Sequence, residues 1–378
     1  MHPTEPKGKG QSVTTKLILI GGFLGAGKTT LLWEAAKALA ARGLKVGLIT
    51  NDQAPDLVDT GLLAARGMAV REVTGSCFCC NFPGLLAAAE GLAGDLRADV
   101  LLAEPVGSCT DLSATILQPL KDKYAHEFLL APFSVLADAL RLREVLTHRH
   151  DTLHASAAYI YRLQLEEADL IVLNKADLLP PQELADLEAL VATSFPKAEL
   201  RAISALKGQG VQEWLDAVLA GKDAGRRIAE VDYDVYAAGE AVLGWLNASI
   251  RLSAAGGGGA DWRGFVTELM QELKAAFEAR RADVAHVKLL LSAAGGHVAA
   301  NLTRTGGQVL VQGSIPGLPL EASLVLNARV EMSPGALEAI VRSALAAARG
   351  TQVVARIEHL KSLSPGRPKP TYRYTRTV

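Results

Sequence analysis

A chain of 378 residues is long for one domain and points to two. Hydrophobic residues make up 49% of it and aromatics only 5%, so the expected core is mostly Ala, Leu and Val. A formal net charge of −1 argues against nucleic acid or an anionic membrane held by bulk electrostatics. With no apolar run of about 18 residues and no basic-then-apolar start, a cytoplasmic chain without membrane span or signal peptide is expected.

In chain order, the polar stretch 1–15 is expected as a disordered tail. The run Lys16–Gly21 reads as a buried strand, and Leu31–Leu39 has helical apolar spacing. Between them, Gly22-Phe23-Leu24-Gly25-Ala26-Gly27-Lys28-Thr29 spells G-x-x-x-x-G-K-T. Strand, glycine loop and helix form the context in which this pattern cradles phosphate. Glycines let successive N–H groups turn inward, and the helix N-terminus adds partial positive charge. The expected contacts are Gly22, Gly25, Ala26, Gly27, Lys28, Thr29 and Thr30, with Lys28 on the β- and γ-phosphates and the Thr29 hydroxyl on Mg2+. The bland alternative is a glycine-rich turn with no ligand.

Further strand-like runs at 44–50, 69–73, 99–104, 128–137, 169–174 and 199–203 alternate with helical patterns. This predicts an α/β domain over 16–220 of P-loop NTPase type, a mainly parallel sheet with helices on both faces. Ligands in such sheets sit at the carboxyl ends of the strands. Asp52 stands at one such end, within reach of Mg2+ or the attacking water, although an Asn-Asp pair there is often only a turn. Glu104 stands at another, in Glu104-Pro105-Val106-Gly107, where Mg2+ or its water shell needs an anion. Lys28, Thr29, Asp52 and Glu104 are therefore the candidate catalytic residues.

The run at 69–73 leads into Cys77-Phe78-Cys79-Cys80. Three thiols in one short loop can share a soft metal at about 2.3 Å per sulfur, with Zn2+ or Co2+ the first candidates. A buried or redox-labile cluster with no metal is the alternative. Cys109 lies just past Gly107 and is a candidate fourth ligand in one nucleotide state, though a lone cysteine is commonly a small buried hydrophobe. His148, His150 and His154 do not share a helical face and are expected as solvated surface.

Asn174-Lys175-Ala176-Asp177 follows the run at 169–174. A carboxylate there can accept two hydrogen bonds from guanine's N1–H and 2-amino group, which adenine cannot offer. Ser204-Ala205-Leu206 fits a loop whose N–H meets the guanine oxygen. The implied nucleotide is GTP, turning over to GDP; a helix-capping Asn and a surface Lys are the plain alternative. No arginine finger or catalytic glutamine stands out, so slow turnover is expected.

Residues 221–239 are expected as a linker and 240–364 as a smaller α+β domain of ferredoxin-like type with one extra strand. Its strand runs are 240–253, 284–292, 297–303, 321–330 and 352–362, with a helix from Asp261 and another from Ser333-Pro334. His286 and Lys288 there are candidates for a partner contact, with core or surface roles the plainer expectation. Residues 365–378 are expected as an extended tail.

The P-loop GGFLGAGKTT, the C-x-C-C loop, the E-x-x-G strand end and LNKADLL, in that order, resemble the CobW-type metallochaperone GTPases of the SIMIBI class. The resemblance spans about 16–220 and implies GTP hydrolysis that gates delivery of Zn2+, Co2+ or a related ion to a client metalloenzyme. It assigns Thr29 and Glu104 to Mg2+, Cys77, Cys79 and Cys80 to the transferred ion, and Asn174 with Asp177 to guanine. GTPases of this class often pair across the nucleotide, so a nucleotide-dependent homodimer is also implied. Asn51-Asp52-Gln53-Ala54 stands where the family usually shows N-E-F-G, which suggests a distinct subfamily. The alternative function is a GTP-switched activator of a cofactor-dependent enzyme, for example a corrinoid one, with structural thiols.

Overall fold

The computed structural model describes residues 14–52, 57–147, 155–349 and 353–378. Residues 1–13 and the His148, His150 and His154 cluster lie outside these. The first domain runs β1 (Thr15–Gly22), α1 (Lys28–Ala41), β2 (Val46–Asn51), α2 (Val58–Ala65), β3 (Ala69–Val73), α3 (Phe82–Asp95), β4 (Val100–Glu104), α4 (Gln118–Lys123), β5 (Phe128–Leu130), β6 (Ser134–Asp138), α5 (Ala139–Thr147), α6 (Ala155–Glu167), β7 (Leu170–Asn174), α7 (Pro181–Ser194), β8 (Glu199–Ala202) and α8 (Val211–Ala220). A π-helical turn, Ser113–Leu117, leads into α4.

The strands form one parallel sheet ordered β3-β2-β4-β1-β6-β7-β8, with β5 also on β1. Side chains alternate between two cores. Leu17, Leu19, Leu101 and Ala103 face one layer of helices, while Ile18, Ile20, Val100 and Leu102 face the other. Fully burying Leu101 or Leu102 is worth about 2 kcal/mol each, which fixes the register. Gly22, Asn51, Val73, Glu104 and Asn174 then all arrive at one edge of the sheet.

The run expected as one strand over 128–137 is two. Pro132 has no N–H for the ladder, so the chain breaks there. Segment β5 pairs with Thr15–Leu17 and β6 with Ile20–Gly22 of the same neighbour.

The remainder runs α9 (Tyr233–Ala241), β9 (Leu243–Ala254), α10 (Trp262–Ala279), β10 (Val284–Ala293), β11 (Gly296–Leu302), β12 (Leu310–Ser314), β13 (Glu321–Glu331), α11 (Pro334–Arg349) and β14 (Val353–Leu363). The stretch 221–239 is not a free connection. Asp169 accepts from the N–H groups of Gly225 and Arg226 at 2.6 and 2.9 Å, and Asp232 caps α9. That helix displaces the strand expected from residue 240 to Leu243.

The antiparallel sheet is ordered β12-β11-β10-β13-β9-β14. Its β14-β9-β13-β10 portion has the ferredoxin-like order, and β11 and β12 extend it, so two strands are added rather than one. Strict alternation gives the sheet two faces. Leu246, Val287, Leu289, Leu326 and Ala328 pack under α10 and α11, whereas Asn247, Lys288, Asn327 and Arg329 point the other way, toward the first domain. Val58 of α2, Leu290 and Ala299 form a small apolar contact between the domains. Among the described residues no helix is long and apolar enough to cross a membrane.

Candidate functional site

The phosphate loop takes the conformation its glycines permit. Gly22 and Gly27 have φ of 130° and 94°. A Cβ on Gly22 would stand 2.3 Å from the Leu136 carbonyl oxygen, and one on Gly27 would stand 2.4 Å from Asn174 Nδ2. Lys28 begins α1 and its Nζ donates to the Gly22 carbonyl at 2.8 Å. Burial lowers the pKa of this ammonium, opposed by the Glu104 carboxylate 3.8 Å away. Burial likewise raises the pKa of Glu104, against the pull of Lys28. Thr29 Oγ1 donates to Glu104 Oε2 at 3.0 Å. Hydroxyl and carboxylate side by side make a hard oxygen set suited to Mg2+.

These groups open onto a cavity of about 720 Å³ that also takes in Asn51, Asp52, Asp59, Asn174, Lys175, Asp177 and Ser204. Asn174 braces it: Nδ2 donates to the Ala26 carbonyl at 2.7 Å and Oδ1 accepts from Ala205 N at 2.9 Å. The Ala205 N–H, one of those in the Ser204-Ala205-Leu206 loop expected to meet a guanine oxygen, is thus bonded to Asn174. Asp177 pairs with Lys207 at 3.0 Å, and Lys175 with Asp138 at 2.6 Å. Thr30 lines the same cavity, as do Gly25 and Gly27; Ala26 and Ala205 are tied to it only through Asn174.

Asp52 is placed differently from the expectation. Its carboxylate meets Arg329 Nη2 of the second domain at 2.5 Å, both side chains almost fully buried. The second acid beside Thr29 and Lys28, after Glu104, is Asp59, in the first turn of α2.

The thiols gather as the C-x-C-C spacing predicts. Cys77 and Cys79 sulfurs are 3.0 Å apart, Cys79 and Cys80 3.8 Å, and the three lie within 4.8 Å of one another. Cys109 completes the group from the Glu104 loop, within hydrogen-bonding reach of Cys77 and Cys79. Hydrogen bonds from Cys109, Cys79 and Cys80 hold Cys77 well below the usual thiol range. The Cys77 interaction is also the main cause that pushes Cys80 up to about 11. Thiols gathered around the acidified Cys77 make a donor set suited to a soft metal, whose binding would release their protons. Asn51 positions the loop by donating to the Val73 and Ser76 carbonyls at 2.8 and 2.9 Å and accepting from Phe78 N at 2.8 Å.

The sequence profile of the CobW/HypB/UreG nucleotide-binding domain matches residues 16–201. This domain belongs to that family. The chain is 31% identical over 175 residues to the zinc chaperone YeiR of Escherichia coli, covering 44% of this chain and 48% of that protein. It is 26% identical over 211 residues to the zinc-regulated GTPase metalloprotein activator 1 of Dictyostelium discoideum, covering 48% and 44%. It thus spans about half the length of the curated relatives it matches. Zn(II)-bound YjiA GTPase from E. coli is a slight structural likeness, with TM-score 0.35 and 16% identity over 89% of this chain and 99% of that one.

Sequence reasoning missed one feature within the CobW-type domain and two around it, although it had singled out His286 and Lys288 for a partner contact. Asp59 follows no motif. The roof of the cleft comes from the antiparallel sheet, with His286, Lys288, Asn301, Asn327 and Arg329 among its lining. The chain's last residues also lie across the thiol loop. Lys369 N donates to Cys80 Sγ at 3.2 Å, Thr371 N to the Cys79 carbonyl at 2.8 Å, and the Tyr372 ring stands edge-on to Phe82 at 5.2 Å. Arg373 pairs with buried Asp111 at 2.7 Å, so the expected extended tail is pinned down.

Proposed function

We propose that this chain is a GTPase metallochaperone. Its cleft takes GTP with Mg2+, and its thiols Cys77, Cys79 and Cys80 carry a transition-metal ion, Zn2+ or Co2+, destined for a client metalloenzyme. In this reading Lys28 and the loop N–H groups hold phosphate, Thr29, Glu104 and Asp59 serve Mg2+, and Asp177 reads guanine. Bound Mg2+ would supply charge neutralisation at the phosphates. The family membership and the zinc-related names of the relatives support the nucleotide and metal assignments.

The observation that carries the coupling is one short loop. Glu104 at its start holds Thr29, and Cys109 further along touches Cys77 and Cys79. A rearrangement of that loop on phosphate loss therefore alters the sulfur cage. Asn51 and Asp52 repeat the theme, one gripping the thiol loop and the next the second domain.

Zinc competition titrations on the wild type and the Cys77→Ser/Cys79→Ser/Cys80→Ser variant test this reading. The wild type should bind one ion tightly and the variant at least a hundredfold more weakly, because three thiolate ligands are gone. Equal affinities would leave the thiols structural and favour the activator alternative.

A further inference from the structure

The phosphate cleft holds a positive charge that no nucleotide motif supplies. Lys288 lies in β10, between β11 and β13. Its neighbours Val287 and Leu289 enter the helix-covered core, so strand alternation sends Lys288 to the opposite face, into the cleft. Its Nζ donates to both Asp59 oxygens, at 2.8 and 2.7 Å, and both side chains are largely buried. Asp59 is itself in hydrogen-bonding reach of Thr29 and close to Lys28, and Glu104 adds its negative field at Lys288. Two carboxylates are thus balanced by two ammonium groups, one from each domain, around the neutral Thr29 hydroxyl.

The arginine of the roof cannot do the same work. Arg329 donates to the Leu246 and Ala328 carbonyls, to Asn247 and to Asp52, and lies over the Trp245 ring at 4.2 Å. Both of its terminal nitrogens are engaged and its plane lies against the Trp245 ring, so it anchors the sheet. Lys288 has a flexible stem and, among the described residues, hydrogen-bonds the single carboxylate of Asp59 from a largely buried position, where an ammonium acts strongly on phosphate.

We propose that Lys288 is a terminal-phosphate ligand supplied in cis by the C-terminal domain. Without nucleotide it neutralises Asp59. With Mg2+-nucleotide bound it releases Asp59 and pairs with the γ-phosphate, which makes seating of the C-terminal domain sensitive to whether that phosphate is present. The inference rests on the nucleotide reading above but needs no statement about the thiols.

Lys288→Met, which keeps the stem and removes the charge, tests it through binding as well as turnover. Fluorescent GTPγS and GDP affinities should diverge: GTPγS weakened on the order of tenfold or more, GDP by less than about twofold. Turnover should fall on the order of a hundredfold. Lys288→Arg, which keeps a positive charge at this position, should keep most of the preference for GTPγS over GDP. An unchanged preference in Lys288→Met would overturn the proposal. So would equal weakening of both nucleotides, because Lys288 would then serve only to hold Asp59. A wild type that binds neither nucleotide would instead sink the nucleotide reading itself.

Discussion

The phosphate cleft and the thiol pocket sit at the ends of neighbouring strands, yet they are closed by different means. The cleft is roofed by another domain through charges, Arg329 on Asp52 and Lys288 on Asp59. The thiols are covered by the chain's own terminus through backbone hydrogen bonds and an aromatic edge, Lys369 and Thr371 on the loop and Tyr372 on Phe82. A closure made of charges answers to an anionic, metal-bearing ligand. One made of backbone bonds and packing answers to displacement of the segment itself. The difference teaches that the cover of the thiols and the roof of the cleft can be opened separately, even though one loop connects the two sites.

Ending the chain at Gly366 breaks the comparison most sharply. Loss of the Lys369, Thr371 and Tyr372 contacts leaves Cys80, already half-buried, open to solvent. Its reaction with a disulfide reagent should accelerate on the order of tenfold or more, while GTP affinity changes by less than about twofold. Lys369→Pro, which removes one N–H from a segment already flanked by prolines, should give a smaller increase of the same sign. Thiol reactivity unchanged by truncation would show that the tail does not cover the pocket in solution.

A smaller effect separates the two regions by pH. Two buried acids flank the thiol side. Glu240 of α9 accepts from Ser108 Oγ at 2.5 Å, and Glu167 accepts from Ser113 N at 2.9 Å. Burial is the main cause that pushes each up to about 8. Because their pKa values are raised on folding, the stability they contribute is present below about 4.5 and is lost as pH climbs toward 8. Glu240→Gln stays neutral throughout and can still accept from Ser108. Its melting temperature should match the wild type near pH 5 and exceed it by roughly 2–4 °C at pH 8.5. A gain of equal size at both pH values would show that the benefit is not proton-linked.

What could be read from the sequence divides along the same line. The phosphate loop, the Asn174–Asp177 stretch and the cysteine loop were legible because each works through residues a few positions apart at one strand end. The roof was not. Lys288 sits in an alternating strand run, and alternation says that two faces exist without saying what covers the second. Asp52 was expected near Mg2+ and Asp59 was not singled out, because the pairing of Asp52 depends on Arg329, which arrives from far along the chain. Strand β12 escaped because it is an edge strand with little apolar alternation and Gly313 at φ 87°. The tail reads as extended from its prolines, but its anchorage on Asp111, itself at φ 62°, is a tertiary fact with no local pattern.

The central claim is that the Glu104–Cys109 loop makes ion grip depend on the nucleotide, and calorimetry tests it most directly. Zn2+ is titrated into the wild type saturated with Mg2+ and either GTPγS or GDP. The account predicts dissociation constants that differ by at least about tenfold, a coupling of about 1.4 kcal/mol. Constants that agree within error in the two states would contradict it.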